Sequence, residues 1–571
     1  MRWIPMKIFN FAMLSLLVST SAFATPDLTT IAEKSGWKRT GRADEVNRLC
    51  HDFQKVYPTW VQCKSLGKTP EGRTFWTMTV GNTKDSHAPV IWVQAGIHAG
   101  EIDGKDATFW LLKDILSGKI KPNPLEGIRL VFIPIMNLDG HERFSAYNRP
   151  NQVGPEEMGW RVTAQNYNLN RDYLKVDTPE MRMITTYWRK MNPVLSLDLH
   201  VTDGADFQPE VGLIVLPNTT YGNSNFHQAG SKFEEAVLKK VKDRGHMALP
   251  FYPSFENEDD PMSGFSRYVA LPRFSQGYWS NMDRIGMLVE THSWKDYATR
   301  VKTHYDVVLS SLELVQEMGK NWQSFDKYSV AGSRVPLEFK HTEKHTTMDF
   351  PGYEYRKVKS LISDSEVIEY NPKKKQIWKL PYYEELVPIL EVQAPEKGYF
   401  IPAVDAGMVI PILKTHGIKF SKWDGKPVRG LKAFRASKLE FSPKPFEGHQ
   451  TLKVAGEWKD VELELKDGAI FVPIDQRSPK IILQLFEPQA QDSLVSWGFF
   501  NRYFEPKEYM ENYVAHQVGL EMLKDPKIRE EFEARLKDDE FRKNPVARFE
   551  FFARKHASWD VRFSLYPVYK L

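Results

Sequence analysis

The sequence predicts an α/β fold: a mixed central sheet flanked by helices, followed by a β-rich region and a helical C-terminal segment. Three observations lead there. Residues 88–95 form an apolar run without alternation, the pattern of a strand buried on both faces. Segments of helical spacing alternate with such strands, which is the order of an α/β layer architecture. Beyond residue 325 the texture changes to short alternating stretches between Pro, Gly and Lys turns, and then returns to helical spacing.

The elements follow in order. Residues 43–57 read as a helix, and 61–66 and 74–80 as strands separated by the turn Pro70-Glu71-Gly72. The run 88–95 ends in Gly96, 107–116 reads as a helix, and 128–136 as a second buried strand closed by Asn137-Leu138-Asp139-Gly140. A helix over 180–191 leads through Pro193 into a strand at 194–199, and 286–289 is a further short strand. In 301–322, Tyr305, Val308, Leu309, Leu312 and Val315 recur at helical spacing. Antiparallel strands are predicted at 439–441, 452–454, 461–465, 469–473 and 481–485, and helix again over 507–556. The expected division is a leader at 1–24, an α/β catalytic domain at 25–325, a β-rich accessory region at 326–495 and a helical segment at 496–571.

A chain of 571 residues exceeds one ordinary core, so two or three domains are expected. Its 42% hydrophobic and 26% charged content is that of a soluble globular protein. Residues 1–24 read as a signal peptide: Lys7 precedes an apolar run at 8–18, and Ala22-Phe23-Ala24 supplies the cleavage pattern. That run is short for a membrane span. The protein is therefore expected to be exported, periplasmic or secreted, with no membrane anchor after signal removal. Without Arg2 and Lys7, 75 basic side chains face 73 acidic ones, a net of +2. Such a balance gives no electrostatic reason for a nucleic-acid or anionic-membrane partner. Cys50 and Cys63 are the only cysteines; they fit either a short disulfide or two thiols packed in a core.

Chemistry concentrates at the strand ends. His98 and Glu101 stand three apart just past a buried strand and before a helix, where one imidazole and one carboxylate can point at a single ion. The same spacing also occurs in helix-start ion pairs. His200 ends the strand Ser196-Leu197-Asp198-Leu199-His200 and completes a two-His, one-Glu set that leaves one zinc position open. Glu290 ends another apolar strand, where a buried carboxylate needs a partner or a task; a general base is the functional reading. His292 shares its face of the strand and stays open as a competing ligand. Trp160-Arg161 and Asn170-Arg171 place guanidinium groups suited to an oxyanion or a carboxylate.

In this order the pieces resemble the M14 zinc carboxypeptidases: His98-x-x-Glu101, Asn137-Leu138-Asp139-Gly140, Trp160-Arg161, Asn170-Arg171, His200 and Glu290, over about residues 40–320. The resemblance implies one zinc per chain on His98, Glu101 and His200. It implies Arg161 at the oxyanion, Asn170 and Arg171 on the free C-terminal carboxylate of a peptide or protein substrate, and Glu290 activating water. Leu138 replaces the family's usual proline, and Asn168 its usual aspartate. Tyr278 is the expected tyrosine over the bound carboxylate, with Tyr268 as the alternative. The acidic cluster Glu256, Glu258, Asp259 and Asp260 reads as a solvated loop or as a selector of basic residues. An amidohydrolase of the same fold, acting on acyl-amino acids or cell-wall peptides, is the alternative activity.

Overall fold

The computed structural model describes residues 26–571 apart from 83–84, 86, 218–223 and 326–327, so the expected leader lies outside the described residues. Its first half carries β1 (Val61–Lys68), β2 (Thr74–Val80), β3 (Val90–Ala95), β4 (Arg129–Ile133), β5 (Leu195–Val201), β6 (Val211–Leu216), β7 (Ala248–Pro250), β8 (Phe265–Ser266) and β9 (Ile285–Thr291). All but β8 form one mixed sheet in the order β1-β2-β4-β3-β5-β9-β6-β7. The strands β4, β3, β5 and β9 are parallel neighbours. Antiparallel pairing of β2 with β4 and of β6 with β9 bounds this central block.

Alternation along β3 explains why no polar face was visible in its sequence. Ile91, Val93 and Ala95 enter one core with the helices Ala43–Val56, Asp103–Leu116, Ser224–Asp243 and Tyr297–Met318. Val90 and Trp92 enter a second core on the opposite face, with the helices Pro179–Met191 and Ser275–Asn281. Both faces are covered, so both sets of side chains must be apolar. Cys50 and Cys63 are joined by a disulfide that ties the helix Ala43–Val56 to β1.

The second core runs across residue 325: Trp92, Trp188 and Tyr278 share it with Tyr399, Ile481 and Phe486. The later half adds β10 (Arg334–His341), β11 (Thr346–Lys359), β12 (Glu366–Tyr383) and β13 (Leu386–Gln393), with β10 paired to β13 and β11 to β12. The β11–β12 hairpin reaches back to the first half, where Tyr382 pairs in parallel with Phe265 of β8. A further sheet, β15-β18-β14-β19-β16-β17, comprises β14 (Gly398–Ile401), β15 (Ser421–Lys422), β16 (Lys432–Phe441), β17 (Leu452–Asp460), β18 (Ile470–Pro473) and β19 (Leu565–Lys570).

Two expected strands are corrected. Residues 461–465 form no strand, and 481–485 lie in the helix Pro479–Phe486. Ile481, Ile482, Leu483, Leu485 and Phe486 are all buried, so the run had no polar face by which to tell helix from strand. The β-rich region also holds the helix Ala403–His416, and the helical segment ends in β19.

Candidate active site

The parallel strands β3 and β5 end side by side, and the loop after β3 folds over that end. Gly96 takes a left-handed turn (φ 63°) that sends the chain across the strand tips. A Cβ at Gly100 would lie 2.6 Å from the Arg149 Cγ, so only glycine lets the loop pass there. His98 and Glu101 thereby reach His200 at the end of β5. All three are buried, and each offers a ligand atom within 4.8 Å of the others.

The residues fit a metal ion, and the unpaired nitrogens show how. His98 Nδ1 is buried without a hydrogen-bond partner, while the Asn170 Nδ2 lies 3.5 Å from its Nε2. His200 Nδ1 lies 2.9 Å from Glu101 Oε2, and its Nε2 lies 3.0 Å from Asp198 Oδ2, close but poorly aligned for a hydrogen bond. His98 therefore keeps Nδ1 available for a ligand bond, and His200 has a carboxylate behind its Nε2, the kind of acceptor that orients a metal-bound imidazole. Glu101 Oε1 accepts from Arg149 Nη1 at 2.6 Å, which leaves Oε2 facing the histidines. Burial, more than the nearby arginines, holds His98 well below its ordinary range and therefore neutral. Burial opposes the ionisation of Glu101, yet Arg149 and the hydrogen bond from His200 outweigh it and keep it an anion. Against burial, Asp198 and Glu101 hold the proton of His200 well above the ordinary histidine range, so a zinc ion, which requires neutral imidazole and anionic carboxylate, would displace that proton on binding.

Glu290 lies beside His200 in the β5–β9 register, so the base candidate and a ligand are cross-strand neighbours. Its Oε2 is buried without a partner, and burial, with Glu101 and Asp203 adding, pushes it up to about 8. A cation on the neighbouring ligands would pull it back down.

One cavity of about 690 Å³ is lined by His98, Glu101, His200, Arg161, Asn170, Arg171 and Glu290. The Asn137 motif positions Arg161: Asn137 Nδ2 donates to the Arg161 carbonyl at 3.0 Å, and Trp160 N–H donates to the Gly140 carbonyl at 2.8 Å. Asn168, at the usual aspartate position, accepts from Asn170 N–H at 3.0 Å instead of reaching His98. Arg171 donates to the Asn170 carbonyl at 2.8 Å and lies over the Phe274 ring.

Tyr278 does not reach this cavity. It is 1% exposed in the second core, bonded at 2.9 Å to His416, because its helix packs against Trp188 and Tyr173 rather than opening to solvent. Tyr268 lines the cavity instead, beside Arg171 and Arg273. His292 is no ligand: it stacks on Phe207 at 4.0 Å and accepts the Phe207 N–H at 3.2 Å. Of the acidic cluster, Glu258 lines the cavity, while Glu256 pairs with His341 and Asp260 caps Met262. Sequence reasoning missed Arg149, which stands in a loop with no periodicity to single it out. It also missed Tyr370, which the β11–β12 hairpin brings to the cavity from 80 residues beyond Glu290.

Residues 46–205 match the family model described as zinc carboxypeptidase. Over that span the chain is similar to the zinc carboxypeptidases. The cluster of His98, Glu101 and His200 is its candidate zinc site. Among similar proteins, Carboxypeptidase 2 of Trichophyton equinum is 20% identical over 498 residues, 84% of this chain and 88% of its own length. Carboxypeptidase D of Drosophila melanogaster is 28% identical over 160 residues, 25% of this chain and 11% of its own. The crystal structure of carboxypeptidase A from Helicoverpa armigera superposes with a TM-score of 0.37 at 16% identity, covering 50% of this chain and 75% of that one.

Proposed function

We propose that this protein is an exported zinc metallocarboxypeptidase that removes the C-terminal residue of peptides, with Glu290 as general base. The observation that carries the reading is Arg171. Its guanidinium faces the cavity next to the ligand cluster, yet among the described residues no carboxylate lies within ion-pair distance of it. Burial and the neighbouring Arg161 press on its charge, so a carboxylate arriving from solvent would relieve a standing cost. Asn170, whose Oδ1 is buried and unpartnered, supplies polar atoms beside it.

Zinc held by His98, Glu101 and His200 would supply polarisation of the scissile carbonyl and acidification of water. The chain's own groups do the rest. Arg171 and Asn170 fix the terminal carboxylate and so bring the last peptide bond, not an internal one, to the ligand cluster. Arg161 presents its positive charge to the carbonyl oxygen as negative charge develops there. Glu290 takes a proton from the attacking water and returns it to the departing amine. Export is supported by the signal-like residues 1–24 and by the Cys50–Cys63 disulfide, which suits an oxidising compartment.

The test compares peptides ending in a free acid with the same peptides amidated. Amidation is expected to lower kcat/KM at least about a hundredfold, roughly 2.7 kcal/mol. Arg171→Ala is expected to impose a similar loss on the acids and little more on the amides, because both changes remove one shared contact. Equal rates on acid and amide, with cleavage inside the chain, would leave an amidohydrolase and end the exopeptidase reading.

A further inference from the structure

The turn that carries Asn170 and Arg171 is held from a distant part of the chain. Glu447 lies in the tight turn between β16 and β17, and its Oε2 accepts the Asn168 N–H at 3.0 Å across 279 residues of sequence. Asn168 in turn accepts the Asn170 N–H through its own Oδ1. Two hydrogen bonds therefore run in series from Glu447 to the residue beside Arg171. The carboxylate also lies near enough to Arg171 to favour its charge against burial.

The turn is anchored and costly. His449 Nε2 lies 2.7 Å from Asp177 Oδ2, and Gly448 runs against the Tyr167 ring. Glu447 itself sits at φ 49°, a left-handed conformation that costs a non-glycine residue on the order of 1 kcal/mol. Glycine would fit that backbone more easily, so what the position gains from a glutamate is its side chain.

We infer that Glu447 is a positioning residue for the carboxylate-binding turn, holding residues 168–171 so that Asn170 and Arg171 meet the substrate's terminal carboxylate. The inference rests on the exopeptidase reading above. It assigns to the β16–β17 turn, far outside residues 46–205, a part in substrate binding.

The full-length zinc-loaded enzyme is assayed on a free-acid peptide and its amide. Glu447→Ala is expected to raise KM for the acid about tenfold, with kcat within about twofold and KM for the amide unchanged. Glu447→Gln keeps an oxygen for the Asn168 N–H and is expected to return KM to within about threefold of wild type. Glu447→Gly removes the acceptor while easing the backbone, so it is expected to hold the melting temperature and still raise KM like alanine. Unchanged KM in the alanine and glycine variants would overturn the inference, as would a rise shared equally by acid and amide. So would a glutamine variant no better than alanine. A wild type that itself fails to prefer the acid would bring down the exopeptidase reading, and this inference with it.

Discussion

Two buried glutamates of the first half, Glu101 and Glu180, differ in their partners. Glu101 has Arg149 and stays ionised. Glu180 has no such partner. It is 1% exposed near the start of the helix Pro179–Met191, its Oε2 is unpaired, and burial, with Asp139 and Asp172 adding, pushes it up to about 7. The folded protein thus holds this proton more tightly than the unfolded chain, whose glutamate titrates near 4.5. That contribution to stability is full below about pH 4.5 and is lost as pH rises through about 7. Glu180→Gln cannot ionise and is expected to flatten the fall in stability between pH 5 and pH 8 by about 1–3 kcal/mol. Urea unfolding at the two pH values measures it; an unchanged slope would show that Glu180 does not titrate there.

Among elements, the buried strands were readable because β3, β5 and β9 carry apolar side chains on both faces, and polar, chemistry-bearing residues stand at or just past their ends. The ligands His98, Glu101 and His200 and the base candidate Glu290 stood at those ends, and the structure gathers all four around one cavity. What was illegible lies where neighbours decide. The helix Pro479–Phe486 is buried all round and read as a strand, and Tyr278 read as a pocket residue though its helix faces the second core. Nothing in the sequence around Glu447 or Tyr370 marks either residue, because their relation to the site is made by the turn and the hairpin that carry them. Cys50 and Cys63, whose sequence fits a bridge and packed thiols equally, are joined in a bridge. It closes a loop of 13 residues' separation between a helix and β1, for which chain entropy predicts about 3 kcal/mol. Replacing both Cys50 and Cys63 with serine is expected to lower the unfolding free energy by about that amount while kcat changes little. A loss of activity at unchanged stability would contradict a purely structural role.

At the scale of the molecule, the second core joins the two halves. Trp188 and Tyr278 pack in the cluster that also contains Tyr399, Val409 and Phe486, so the far face of the catalytic sheet is covered by residues beyond 325. A chain ending at Phe325 would leave that face in water. Uncovering even a few large side chains costs about 1.5–3 kcal/mol each, which together exceeds the stability of an ordinary domain. Such a chain is expected to yield no soluble protein with a cooperative unfolding transition. Recovery of a folded, zinc-binding fragment would show that the first half stands alone. Among the described residues no helix is long and apolar enough to cross a membrane.

The place of β9 in the sheet bears on timing. β5 and β6 follow each other in the chain, yet β9, some seventy residues later, lies between them. Until it inserts, both strands present open edges to other chains, and closing so long a loop is slow. Glu290 rides on that inserting strand. A chain in which β9 has not paired would thus hold His98, Glu101 and His200 together without the proposed base beside them.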